Sequence, residues 1–216
     1  MTIEYLGHSC FCLIAEDGTR VITDPYTKVG YELPTGLCAD IVTVSHGHFD
    51  HNCIDAVRAD KIIDKTGVYS YKNVKIKGVT SWHDPKQGML RGENIIFTVE
   101  MDGLTICHLG DLGEPFSEKM LKKIGKPDIL LLPVGGTYTI NAQQAKQYAE
   151  KISPKVLIPM HYRPQDGALD IAEPEEFLSL FTEKNFDKVL NGELIISEKD
   201  FANSIKIIYM ERNKNG

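Results

Sequence analysis

Asp40-Ile41-Val42-Thr43-Val44-Ser45-His46-Gly47-His48-Phe49-Asp50-His51 runs from an apolar, β-branched segment into three imidazoles and a carboxylate within six residues. The first half reads as a strand, and the second half crowds metal-type ligands onto the turn that follows it. Imidazole with carboxylate suits zinc, iron, manganese or nickel, and the absence of a thiolate argues against a purely structural site. Further ligand types stand singly, each after an apolar strand-like segment. His83 follows Val79-Thr80-Ser81-Trp82, Asp111 follows Leu104 to Gly110, and His161 follows Val156-Leu157-Ile158-Pro159-Met160. A lone histidine is ordinary core or surface packing, but one crowded turn plus three ligands at strand ends is enough to fill two adjacent metal positions. His8 and His108 stand outside this count.

At these residues the chain resembles the metallo-β-lactamase fold superfamily. Within it, the chain is similar to the zinc-dependent hydrolases that include ascorbate-6-phosphate lactonase and the N-acyl phosphatidylethanolamine phospholipase D type enzymes. The resemblance covers nearly the whole chain. It runs through Leu6 to Phe11, Ile22-Thr23-Asp24-Pro25, Ser45 to His51, Ser81-Trp82-His83, His108 to Asp111, Leu132 to Gly136 and Pro159-Met160-His161-Tyr162. It implies a four-layer αββα sandwich, where the pattern of strands and helices by itself gives only α/β or α+β. It also implies His46, His48 and His83 on a first metal, Asp50, His51 and His161 on a second, and Asp111 between them. The expected cofactors are two divalent ions, zinc first, with manganese, nickel or iron admitted. Relatives in this branch carry a histidine after Asp-Leu-Gly where this chain has Glu114, so no role of that histidine carries over.

The 216 residues suffice for one sizeable core, and no linker, repeat or low-complexity tract divides them, so a single domain over 1–216 is expected. A net charge of −6 disfavours a nucleic-acid partner, which would require a basic face. Lys72 to Lys77 and Lys119 to Lys126 alternate with apolar residues and read as exposed faces of a strand and a helix. No apolar run approaches the roughly 20 residues that span a bilayer. The strand-like Thr2-Ile3-Glu4-Tyr5 does not read as a charged leader with an apolar run, so neither secretion nor a membrane partner is expected. Five cysteines without a Cys-x-x-Cys spacing read as reduced thiols in a cytoplasmic protein. Cys10 and Cys12 share a strand face and read as core; Cys53 is the thiol expected nearest the metals. A homo-oligomer is left open.

Glu16-Asp17-Gly18-Thr19 predicts a hairpin between strands over 11–14 and 20–23, and Asp102-Gly103 predicts another between 95–100 and 104–109. Helices are predicted over 141–151 with Asn141 as N-cap, over 173–184 with Pro174 in the first turn, and over 117–124.

The chemistry expected of such a ligand set is hydrolysis of an ester, lactone, phosphodiester or amide of a small molecule. A hydroxide bridging two ions is the nucleophile, because metal lowers the pKa of water from about 15.7 to about 7. Asp111 has two oxygens with which to bridge ions, and Asp50 is read as a ligand with some character of a base. The resemblance sets Asp24 beneath the metal turn as an acceptor for an imidazole N–H, and His108 reads as a buried, hydrogen-bonded histidine. His8 is read as a catalytic proton donor or substrate contact, against a structural histidine. The pocket is expected from loops 26–39, 84–93, 135–141 and 162–170, with Arg91, Tyr138, Tyr162 and Arg163 as polar contacts. The competing functions are an iron-dependent oxidoreductase on the same fold, a nuclease, and a metal-binding protein without turnover. The flavodiiron branch carries glutamate where His48 stands here, which leans away from the first.

Overall fold

The computed structural model describes residues 1–182, 186–202 and 204–212. Its strands are β1 (Thr2–Gly7), β2 (Cys10–Ile14), β3 (Arg20–Thr23), β4 (Leu37–Thr43), β5 (Val57–Ile63), β6 (Gly67–Tyr71), β7 (Val74–Trp82), β8 (Glu93–Met101), β9 (Leu104–His108), β10 (Ile129–Pro133), β11 (Val156–Met160), β12 (Phe186–Val189), β13 (Glu193–Ile195) and β14 (Lys206–Met210). The α-helices are α1 (Glu118–Ile124), α2 (Ala142–Ile152) and α3 (Pro174–Leu178). The strands form a six-stranded sheet in the order β13-β1-β2-β3-β4-β5 and an eight-stranded sheet in the order β12-β14-β11-β10-β9-β8-β7-β6.

Local chemistry explains the elements. β2 and β3 pair antiparallel with Cys12 opposite Ile22, and Gly18 takes positive φ in their turn. β8 and β9 close around Asp102 and Gly103, both at positive φ, which matches the twist of a two-residue hairpin. Ser117 accepts from the Met120 N–H at the start of α1. Asn141 and Gln144 form a reciprocal capping box on α2. The predicted third helix is shorter than its pattern. α3 stops at Leu178, and the Leu180 and Phe181 N–H groups bond the carbonyls three residues back, so the chain tightens into turns. The end of that predicted helix, at Lys184, lies outside the described residues.

The two sheets face each other. Along β2, Phe11 and Leu13 point into the main core with Ile3, Val21 and Ile41, where Ile76, Phe97 and Leu131 of the other sheet belong. Helix residues Met120, Ala145, Tyr148 and Phe177 extend that core across the eight-stranded sheet. β10 and β11 are buried at every position, as parallel strands covered on both faces must be. Cys10 and Cys12 point the other way, into a second cluster with Ile22, Val42, Tyr26, Val29 and Tyr31. Of the four layers of the αββα sandwich, the described α-helices form the outer one on the larger sheet, while on the smaller sheet the segment after β3 takes that place without a described α-helix. Exposed Lys75 and Lys77 alternate with buried Val74, Ile76 and Gly78, and no described helix is long and apolar enough to cross a membrane.

Candidate metal centre

One edge of the sandwich collects the chemistry. His8 follows β1, Asp24 follows β3, Ser45 and His46 follow β4, His83 follows β7, Asp111 follows β9 and His161 follows β11. Three of these residues, His8, Asp24 and His161, hold positive φ of 54°, 38° and 51°. Non-glycine residues in that region cost on the order of 1–3 kcal/mol each, so surrounding contacts must hold them. The His161 N–H donates to the His8 carbonyl at 2.9 Å, stitching the ends of β1 and β11 together across the two sheets. The His8 backbone is clamped again: its N–H donates to Tyr31 Oη at 3.0 Å, and Tyr5 Oη donates to its carbonyl at 3.1 Å.

The donor atoms gather in two groups, linked by a third made of His46, His51 and Asp111. His46, His48 and His83 form one; Asp50, His51, His161 and His8 form the other, and within each group the candidate ligand atoms lie within 4.8 Å of one another. Asp111 touches both. Its Oδ2 lies 3.2 Å from His83 Nε2 and 3.1 Å from His161 Nε2, and its Oδ1 lies 3.1 Å from His51 Nε2. Yet Asp111 Oδ1, His51 Nε2 and His161 Nε2 are buried and have no hydrogen-bond partner among the described residues. A buried polar atom left unpaired costs about 1–3 kcal/mol, so converging orphans of this kind describe a site for a cation rather than a hydrogen-bonded network. The donor set, imidazole nitrogen with carboxylate oxygen, fits divalent transition ions.

Below this layer the polar contacts set the tautomers. His51 Nδ1 lies 2.8 Å from Asp24 Oδ2, which assigns the proton to Nδ1 and leaves Nε2 as the free lone pair. Ser45 donates through both its N–H and Oγ to Asp24, at 2.8 and 2.5 Å, so its oxygen is free to accept from His46 Nδ1 at 2.9 Å. One buried carboxylate thus orients two imidazoles, one directly and one through a hydroxyl. Burial would raise the Asp24 pKa, but His108 and His51 together hold it below the ordinary carboxylate range. We expect Asp24→Asn, which accepts the left-handed backbone, to keep the fold and weaken metal retention about 10- to 100-fold in a chelator competition.

Asp111 is held from behind by a residue that the sequence reading missed. Asn94 accepts from the Asp111 N–H through Oδ1 at 2.8 Å and donates through Nδ2 to Ser81 Oγ and the Leu109 carbonyl, at 2.7 and 2.9 Å. Its only signal in the sequence is an amide directly before the apolar run Ile95-Ile96-Phe97 of β8. Gly110, at φ 54°, packs so tightly that a Cβ there would stand 2.3 Å from Asn94 Oδ1. His108 donates from Nε2 to the Ser9 carbonyl at 2.8 Å and accepts from the Gly110 N–H at Nδ1, which completes it as a hydrogen-bonded buried histidine.

His8 joins the second group. Its Nε2 is 3.3 Å from Asp50 Oδ2, and burial, followed by the neighbouring His161, draws its pKa down to about 4. The ring is therefore neutral near pH 7. Burial would raise Asp50, but the His8 hydrogen bond and His51 hold it below the ordinary carboxylate range.

Other expectations are redirected. Tyr162 is buried and donates to the Met210 carbonyl at 3.0 Å, and Arg163 pairs with Glu173 at 3.2 Å, so neither stands free at the metal edge. Cys53 bonds the Pro25 carbonyl through its N–H and belongs to none of the ligand groups. A cavity of about 480 Å³ lies beside the Gly7–His8 bend, lined by Tyr5, Gly7, Tyr31, Tyr162 and Tyr209. It contains none of the candidate metal ligands.

An αββα sandwich with a histidine- and carboxylate-lined cation site on the edge where its strands end defines a class of metallohydrolase-type proteins. Residues 2–161 match the Beta-lactamase superfamily domain. A UPF0173 metal-dependent hydrolase of Thermoplasma acidophilum is 31% identical over 208 residues, covering 83% of this chain and 90% of its own. A second, from Archaeoglobus fulgidus, is 30% identical over 220 residues, covering 87% and 93%. A crystal structure from Thermotoga maritima, assigned to the Zn-dependent hydrolases of the metallo-beta-lactamase superfamily, superposes with a TM-score of 0.80 at 37% identity, covering 98% of this chain and 99% of that one. The chain belongs to the beta-lactamase superfamily and, within it, to the UPF0173 metal-dependent hydrolases.

Proposed function

We propose that this metal-dependent hydrolase binds two divalent ions, zinc first among them, and cleaves an ester, lactone, phosphodiester or amide of a small molecule. The observation that carries the reading is the arrangement around Asp111: a trio of imidazoles on one side, a mixed imidazole and carboxylate group on the other, and both Asp111 oxygens within about 3 Å of ligands from the two groups. His46, His48 and His83 would hold one ion, Asp50, His51 and His161 the other, with Asp111 shared. Bound ions would supply Lewis acidity and a hydroxide nucleophile near neutral pH. The protein's part is to fix the ligand rings through Asp24 and Ser45, to hold Asp111 on Asn94, and to keep Asp50 ionised beside the neutral His8. Asp50 and His8 are the proposed catalytic pair, Asp50 as a ligand with base character and the His8 ring as the group positioned to move a proton. Five cysteines, all unpaired, fit a cytoplasmic location.

The test is metal analysis with an activity panel. Protein titrated with zinc or manganese should take up two ions per chain and hydrolyse members of a panel of lactones, phosphodiesters and acyl amides. Saturation at one ion with metal in excess would defeat the binuclear assignment. Oxygen consumption that requires iron and disappears on zinc substitution would replace hydrolysis with an oxidative reaction.

A further inference from the structure

We propose that Arg91, braced against Tyr138 at the mouth of the metal edge, is the subsite for an anionic group of the substrate, a carboxylate or phosphate carried on an apolar body. The proposal rests on the hydrolytic reading above and names the substrate class of that site.

Arg91 sits in the loop between β7 and β8, which begins at His83. The loop is held by one carboxylate. Asp84, fully buried, accepts backbone N–H groups from Lys86, Gly88, Leu90 and Arg91 at 2.7, 3.1, 3.0 and 2.8 Å, and the His83 N–H closes the loop on the Gly92 carbonyl at 3.1 Å. Four amides on one carboxylate make the loop a preformed platform. From it the guanidinium reaches Thr137, donating from Nη2 to its carbonyl at 3.2 Å, with its carbon 5.5 Å from the centroid of the Tyr138 ring. Thr137 and Tyr138 belong to the loop after β10, whose base at Gly135 packs so closely on the His161 carbonyl that a Cβ there would stand 2.2 Å from it. His83 and His161 both face Asp111 Oδ2. The Arg91 bridge therefore joins the loop that begins at His83 to the loop whose base packs on His161.

The charge on this bridge is unspent. Arg163 and Arg212 each pair with a carboxylate, whereas among the described residues Arg91 makes no ion pair. A guanidinium offers five N–H donors in a rigid fork suited to carboxylate and phosphate, and the Thr137 carbonyl occupies one of them. The two residues before it, Met89 and Leu90, are 84% and 58% exposed, and Tyr138 is 40% exposed. Apolar surface beside an unpaired cation, both on a braced loop, is complementary to an amphiphilic acid or phosphate.

The test uses two esters with one leaving group, neutral p-nitrophenyl acetate and anionic mono-p-nitrophenyl succinate, on metal-loaded protein. Arg91→Ala is expected to raise KM for the succinate ester about tenfold or more with kcat little changed, to leave the acetate ester unaffected, and to keep the parental melting temperature. Arg91→Lys should recover part of the loss. Equal effects on both esters, or none on either, would overturn the subsite. If the parent protein cleaves neither ester, the hydrolytic reading fails for esters, and calorimetric binding of phenyl phosphate to metal-stripped protein decides the subsite separately. Binding weakened about tenfold in Arg91→Ala supports it. Equal affinity in the two proteins, or no binding to the parent, refutes it.

Discussion

Asp111→Asn is expected to leave a folded protein whose turnover falls on the order of 10³-fold, a loss of about 4 kcal/mol in transition-state stabilisation. The amide keeps the shape of the carboxylate, and the Asn94 bond to the residue 111 N–H is a backbone contact that survives the change. What disappears is the single negative charge that His83, His161 and His51 all approach within 3.2 Å. The carboxyl is held well below its usual range: burial alone would raise it, but His161 and His51 pull it down further. Two bound cations would repel each other, and the Asp111 charge would offset that repulsion. The measurements are circular dichroism for the fold, metal content, and kcat on a panel substrate. Parental turnover with unchanged metal content would remove Asp111 from the centre of the mechanism.

His8→Ala is expected to lower turnover by about 10² to 10⁴-fold, the range of a positioned proton-transfer group, while both ions stay bound. The buried ring has Asp50 at 3.3 Å from Nε2 and rings of His161 and His51 at centroid distances of 4.3 and 5.1 Å. Its backbone is fixed by Tyr5, Tyr31 and His161 independently of the ring, so truncation should not release the bend. Because the ring is neutral near pH 7, His8 would first accept a proton at its free ring nitrogen and then deliver it to a leaving group, while Nε2–H keeps its bond to Asp50. His8→Gln separates two roles, since the amide restores a hydrogen bond to Asp50 without restoring proton transfer. Rate, metal content and melting temperature on the same preparations settle the matter. A lowered melting temperature at an unchanged rate per folded molecule would make His8 structural, and metal loss in His8→Gln would make it a ligand.

The crowding of candidate ligands on one turn was legible because its information is local. His46 to His51 follows a strand, and a short turn cannot spread its side chains, so crowding in sequence is crowding in space. The two hairpins and the caps at Ser117 and Asn141 were legible for the same reason: positive φ at glycine and side-chain capping are set by neighbours a few residues away. The third helix was not, since a pattern that favours helix continues past Leu178 where the chain instead tightens into turns.

What only the tertiary structure decided depends on contacts between distant segments. No local pattern shows that Asn94 would carry Asp111, that Asp24 would serve His46 through Ser45 as well as His51, or that Tyr5 and Tyr31 would clamp His8. Nor could residue type separate Arg91 from Arg163 or Tyr138 from Tyr162; the partner of each decided it, through Thr137 for one arginine and Glu173 for the other. The sequence by itself determined which groups can bind metal, because ligand chemistry belongs to the side chain. Folding determined which protons those groups keep, which charges remain unpaired and which rings face each other, because those properties belong to pairs of residues far apart in the chain.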